Sequence, residues 1–149
     1  MSEIRFTVLG RPQQKGSKQV MPNRGSRRGY VLLDMNPNAR QWATQVSATA
    51  RSVYAGPLIR DGVMVTVYFF FARPRSHFGT GRNQHVVKSS SPPRMISTPD
   101  LDKLCRATLD ALTGVILKDD AQIVRLSTGK EYGEPERAEV VVRVLGGDW

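Results

Sequence analysis

An α+β domain, with a mixed β-sheet packed by two main helices, is the fold class this chain predicts. Three observations carry that expectation. Val63 to Phe71 is almost entirely β-branched and aromatic, the composition of an interior strand. Two segments, beginning near Ala39 and Leu101, repeat apolar residues at helical spacing. Runs with a two-residue period stand near both ends of the chain. At 149 residues the length is that of one domain with a real core, so residues 1–149 are taken as a single unit.

The elements follow in order. Glu3 to Leu9 sets Ile4, Phe6 and Val8 against Glu3, Arg5 and Thr7, the alternation of a half-buried strand, and Gly10 and Pro12 end it. Residues 11–28 have no periodic apolar face and carry Lys15, Lys18, Arg24 and Arg27 among glycines. They are expected to form a basic surface loop, either merely solvated or an arm for phosphate. Tyr30 to Leu33 predicts a short return strand. Asn36-Pro37 has the pattern of an N-cap with proline at the first helical position. Ala39, Trp42, Ala43, Val46, Ala50 and Val53 then mark a helix ending near Gly56-Pro57. Trp42 lies on the apolar stripe and is expected in the core.

Val63 to Phe71 is predicted as the spine of the sheet, covered on both faces. Residues 73–98 then change character, with three prolines, two histidines and the cations Arg73, Arg75, Arg82, Lys88 and Arg94. A long basic loop of this kind inside a compact domain is usually functional or disordered. Leu101, Leu104, Cys105, Thr108, Leu109 and Leu112 have amphipathic helical spacing, opened by Thr98-Pro99 and stopped by Gly114, with Asp102, Arg106 and Asp110 opposite. Two closing strands, around Val124 to Thr128 and Ala138 to Leu145, flank a turn at Gly133-Glu134-Pro135.

Charge narrows the class of partner. Lys and Arg number 22 against 13 Asp and Glu, a net charge of +9. That balance favours nucleic acid, although a ribosomal or membrane-surface protein would share it. Cys105 is the single cysteine, which excludes an intramolecular disulfide or a thiolate metal cluster and suits a buried filler in a reducing cytosol. The N-terminus lacks a signal pattern, and Val63 to Ala72 is too short to span a bilayer. A soluble, cytoplasmic protein with no membrane partner is expected. His77 and His85 lack the spacing of a zinc site, and neither a Walker loop nor a Gly-x-Ser-x-Gly elbow occurs.

Against this basic background, Asp100 with Asp102 and Asp119 with Asp120 form two acidic clusters. Close carboxylates repel one another and repel phosphate. A divalent cation removes both objections. Mg²⁺ takes oxygen ligands, often only one or two carboxylates, with water and substrate phosphate completing the shell. Such an ion can orient a scissile phosphate and activate water. Within a regular helix Asp100 and Asp102 would point about 200° apart, so a shared ion requires Asp100 at or just before the helix start. The structural alternative stays open: acids favour a helix's first turn, Asp102 could pair with Arg106, and Asp119-Asp120 could form a turn. Lys103, Arg106 and Lys118 are candidates to contact phosphate.

Three blocks in order, Pro99-Asp100-Leu101-Asp102-Lys103-Leu104, Leu109-Asp110-Ala111-Leu112-Thr113-Gly114 and Lys118-Asp119-Asp120-Ala121-Gln122-Ile123, resemble the RusA family of Holliday junction resolvases. The resemblance implies a RusA-like, homodimeric endodeoxyribonuclease of bacteria and their phages that nicks four-way DNA junctions symmetrically. It also implies dependence on Mg²⁺, with Mn²⁺ as a substitute. Carried onto this chain, it makes Asp100, Asp102 and Asp120 the catalytic metal ligands, with Asp119, Lys103 and Lys118 supporting. Where well-studied members have an essential lysine, this chain has Arg106, which keeps the charge but does not readily release a proton. Lys15, Lys18, Arg24, Arg73, Arg75, Arg82, Lys88 and Arg94 are then candidate DNA contacts, and Phe78 a candidate stacking or wedge residue. Nucleases acting on flaps, forks or duplex DNA, and a non-catalytic DNA-binding protein, are the alternative readings.

Overall fold

Parallel neighbouring strands cannot be joined by a tight hairpin and need a crossover, and this requirement places the helix that carries the acids. The computed structural model describes residues 3–16, 18–34 and 36–146, without the side chains of residues 18, 19 and 32–34. Strand β1 is Glu3–Leu9, followed by a hairpin of β2 (Lys18–Pro22) and β3 (Tyr30–Asp34) and helix α1 (Ala39–Val53). Strand β4 (Val63–Phe71), helix α2 (Leu101–Asp110), β5 (Ile123–Tyr132) and β6 (Arg137–Val144) complete the fold. The four-stranded sheet runs β1-β6-β4-β5, while β2 and β3 form a separate ribbon. β4 is antiparallel to β6 and parallel to β5, so the sheet is mixed and α2 is the crossover between β4 and β5.

The helices cover one face of the sheet. Val63, Val65, Val67, Phe69 and Phe71 of β4 are buried there with Val140 and Val142 of β6 and Phe6 and Val8 of β1. Trp42, Val46 and Ala50 of α1 and Leu104, Cys105 and Ala107 of α2 close the core. Trp42 is buried as expected, and its Nε1 donates to Thr108 Oγ1 at 3.1 Å. Cys105 is a buried free thiol against Thr128 Oγ1 of β5. Burial pushes its pKa up, and the Thr128 hydroxyl only partly offsets this.

β4 departs from the expectation that both its faces are covered. Met64, Thr66, Tyr68 and Phe70 are only half-buried. Local contacts replace a second layer there: Tyr68 shares a hydrogen bond with Ser127, and the Arg137 guanidinium lies 4.0 Å over the Phe70 ring. Opposite Tyr68 in register stands Gly129, where an added Cβ would come 2.9 Å from the ring.

Other corrections are local. Residues 11–28 are not one open loop, because Lys18–Pro22 pairs with Tyr30–Asp34. α1 starts at Ala39, two residues beyond Pro37, with Asn38 at its cap position. Asn36 instead accepts from the Asn38 N–H at 3.0 Å and donates to the Gln14 carbonyl at 2.7 Å. The helix ends at Val53 rather than near Gly56. The 73–98 stretch holds 3-10 turns at Arg75–His77 and Gly81–Asn83 and a bridge from Phe78 to Val87. Among the described residues no helix is long and apolar enough to cross a membrane.

Candidate active site along the second helix

Helix α2 begins one residue after Asp100, whose backbone is extended at φ −77° and ψ 134°. Asp100 is therefore the N-cap and Asp102 lies in the first turn, which frees the pair from the angular separation of a regular helix. Thr98 does not cap the helix; the Thr98–Pro99 peptide is cis and stands just before it. The Asp100 side chain makes no capping hydrogen bond, and its ion-pair partner is Lys103 at 3.5 Å. Backbone contacts hold it instead. The Asp100 N–H donates to Gln14 Oε1 at 2.6 Å. Lys130 Nζ, reaching up from β5, donates to the carbonyls of Ser97 at 2.5 Å and Pro99 at 2.8 Å.

With Leu104, Cys105, Ala107 and Thr108 buried, the opposite side of α2 presents Asp102, Arg106 and Asp110 on successive turns, all exposed. The Lys15 ammonium closes an ion pair on Asp110. Among the described residues Asp102 and Arg106 form no ion pair with each other, so both remain open to a ligand.

The second acidic cluster opens a single 3-10 turn, Asp120–Gln122. Asp119 Oδ1 accepts from the Ala121 N–H at 3.0 Å, and the Asp119 N–H donates to Gln122 Oε1 at 2.8 Å. Gln122 Nε2 in turn donates to the carbonyls of Ile59 and Asp61, at 2.7 and 2.9 Å. The whole turn is thereby pinned to the segment before β4. Asp119 is committed to this work, while Asp120 faces outward with Arg106, Asp110 and Arg125 around a shallow hollow of about 350 Å³.

These neighbours set the two acids apart. The hydrogen bond from the Ala121 N–H leads in holding Asp119 below the usual carboxylate range. The bond with Asp119, partial desolvation, and then the charges of Asp119 and Asp110 push Asp120 up. Of the two, Asp120 is thus the acid whose charge its neighbours disfavour.

The three acids expected to share a cation do not gather at one point. Asp102 and Asp110 are eight residues apart on α2, a rise of about 12 Å, and Asp120 sits by the Asp110 end. Asp100 and Asp102 stand at the other end, with Arg106 between. Among the described residues no group of three His, Cys, Asp or Glu side chains could hold a metal ion.

The model of the family Endodeoxyribonuclease RusA matches residues 11–143. The chain belongs to the RusA endodeoxyribonuclease family. It is also 28% identical over 143 residues to the uncharacterized protein YqaN of Bacillus subtilis (strain 168), a match covering 96% of this chain and 97% of that protein. Membership makes the acid-lined side of α2 the part of this RusA-family chain to weigh as a hydrolytic site for DNA.

The candidate DNA contacts fall into two kinds. Arg24, Arg75, Arg82, Lys88 and Arg94 are exposed and form no ion pair among the described residues. Lys118 is likewise exposed. Arg73 is engaged by the fold: its guanidinium lies 4.3 Å over Tyr132 and donates to the Pro92 carbonyl at 2.9 Å. Lys15 is bound to Asp110, and Phe78 is half-buried. The side chain of Lys18 lies outside the described residues. Gln14, Gln122 and Lys130 escaped the sequence reading because their partners are backbone groups, which no motif records. One signal existed for Lys130: it shares the inward row of β5 with Thr128, an unusual place for an unpaired lysine.

Proposed function

We propose that this RusA-family endonuclease is a Mg²⁺-dependent resolvase that cuts four-way DNA junctions by paired, symmetric nicks. The observation that carries the reading is the start of α2: Asp100 at the N-cap with its carboxylate unused for capping, and exposed Asp102 in the turn that follows.

The donor set suits a hard divalent ion. All three candidates offer carboxylate oxygens, and the crowding that pushes Asp120 up is what a cation relieves. Mg²⁺ usually takes only one or two carboxylates with water and phosphate, so a cluster of three is not required. Asp100 and Asp102 would hold an ion at the foot of α2, and Asp120, by the last turn, would bind an ion of its own. When bound, the ion lowers the pKa of an attacking water and offsets charge on the phosphate.

The remaining chemistry belongs to the chain. Arg106 stands midway along the acidic side and stays protonated, so it can contact a phosphate oxygen without serving as a proton donor. Lys103 holds a second cation beside Asp100. Gln14 and Lys130 fix the backbone from which Asp100 projects. Two such sites related by a two-fold axis, in a homodimer, match the symmetry of a four-way junction and would give paired nicks.

The test compares a synthetic four-way junction with flap, fork and linear duplex, with Mg²⁺, with Mn²⁺ and with chelator, for wild type and Asp102→Asn. Metal-dependent nicking of the junction that Asp102→Asn loses supports the reading. Equal cutting of linear duplex removes the junction assignment, and no metal-dependent cutting of any substrate removes the metal mechanism.

A further inference from the structure

The β2–β3 ribbon is built unlike the rest of the molecule. It pairs only with itself, and none of residues 20–31 belongs to the buried core. Val20 is 58% exposed, and Met21 and Tyr30 are also exposed. An isolated two-stranded ribbon is marginal in water, so one that leaves Val20, Met21 and Tyr30 uncovered is shaped for a partner. Its tip is nevertheless well made. The Asn23 N–H donates to the Gly29 carbonyl at 3.0 Å, Asn23 Oδ1 accepts from the Gly25 N–H at 2.9 Å, and Gly29 takes φ +76°. This ordered turn holds Arg24, Arg27 and Arg28 in the open, with no ion pair among the described residues. Three guanidiniums within five residues, on a ribbon narrow enough for a DNA groove, complement a duplex backbone.

The stem ties the ribbon to the acid-bearing helix. Gln14 accepts from the Asp100 N–H, the Lys15 N–H donates to the Lys103 carbonyl at 3.2 Å, and the Lys15 ammonium pairs with Asp110. Asn36, on the return side, donates to the Gln14 carbonyl. The ribbon is therefore clamped at both ends of α2. Five strand residues then carry the tip about 17 Å outward, on the order of five base pairs along B-DNA.

We infer that this ribbon is a separate duplex grip: it lies along a groove of a DNA arm, with Arg24, Arg27 and Arg28 on the flanking phosphates, and sets the register of that arm against α2. The choice of polyanion rests on the DNA-cleaving reading above. The contacts are to backbone, so the grip is indifferent to branching and serves a linear duplex as well as a junction.

The test is binding in chelator, where nothing is cut. Anisotropy titrations across a salt series compare wild type with the Arg24→Ala, Arg27→Ala, Arg28→Ala triple variant on a linear duplex and on a four-way junction. Each phosphate contact adds about 0.9 to the slope of log affinity against log salt. The triple variant is expected to lose about 2.7 from that slope on both substrates, with an unchanged melting temperature. Arg51→Ala, on the exposed side of α1, should leave the slope as it was. An unchanged slope in the triple variant would overturn the grip, as would a loss from Arg51→Ala equal to that of each ribbon arginine. A chain that behaves as expected here and cuts no DNA would defeat the nuclease reading and leave the ribbon assignment standing.

Discussion

Replacing Lys130 with methionine keeps the length of the side chain and removes the ammonium that ties β5 to the start of α2. Two hydrogen bonds go, to the carbonyls of Ser97 at 2.5 Å and Pro99 at 2.8 Å. A hydrogen bond to a charged group contributes about 1.5–3 kcal/mol. Ser97 is exposed and Pro99 half-buried, so water replaces part of what is lost and the net cost is about 2 kcal/mol. In a chain of this size that lowers the melting temperature by about 4–8 °C. Urea unfolding should show a lower midpoint at unchanged m-value. The functional cost should be larger, because these carbonyls immediately precede Asp100. A displacement of about 1 Å there costs about 100-fold in rate, read as single-turnover junction cleavage at saturating Mg²⁺ and under conditions where the variant is fully folded. A variant that is destabilised yet cuts at the wild-type rate would refute the positioning role, and one that is neither destabilised nor slowed would refute the contact.

Three further outcomes follow from the site. Asp100→Asn should lose metal-dependent cleavage yet bind a junction in chelator at least as tightly as wild type, because a charge repelling phosphate is gone; gel-shift titration reads this. Arg106→Ala should slow cleavage by about 10²–10³-fold, whereas Arg106→Lys should retain much of the rate and gain an alkaline limb in its pH profile that the arginine enzyme lacks. The raised carboxyl of Asp120 binds its proton at higher pH than Asp119, whose pKa is lowered. Folding stability from Asp119 is therefore present above the ordinary carboxylate value near 3.8 and lost as pH falls through its folded value. The sign is reversed for Asp120, whose contribution favours folding at low pH and fades as pH rises through its folded value. Carbon-13 titration of the two carboxyls should show this order, and Asp119→Asn should bring Asp120 down.

Patterns that report burial were legible in the sequence, and contacts between distant backbone groups were not. The stripe of Leu104, Cys105 and Thr108 located α2, and helical geometry alone required Asp100 to stand at its start for a shared ion; the backbone places it at the N-cap. The return strand at Tyr30 was expected, but its partner β2 was missed because Val20 and Met21 are both exposed, so that strand carries no alternation. β4 misled in the opposite sense. Tyr68 and Phe70 look like residues of a covered face, but Ser127 and Arg137 shield them from within the sheet. The expectation that Asp120 would meet Asp100 and Asp102 could not be checked by spacing, since it depends on how Gln122 pins the turn to Ile59 and Asp61. That anchor brings Asp120 to the Asp110 end of α2 instead.

Paired cutting of a four-way junction by the acids of α2 can be followed on a supercoiled plasmid that extrudes a cruciform. With Mg²⁺ the wild-type chain should convert it straight to linear product, with the two nicks mapping symmetrically across the junction, while Asp102→Asn leaves it supercoiled. Accumulation of singly nicked circles with cuts at unrelated positions would rule out paired cutting, and equal cutting by Asp102→Asn would rule out the acids of α2.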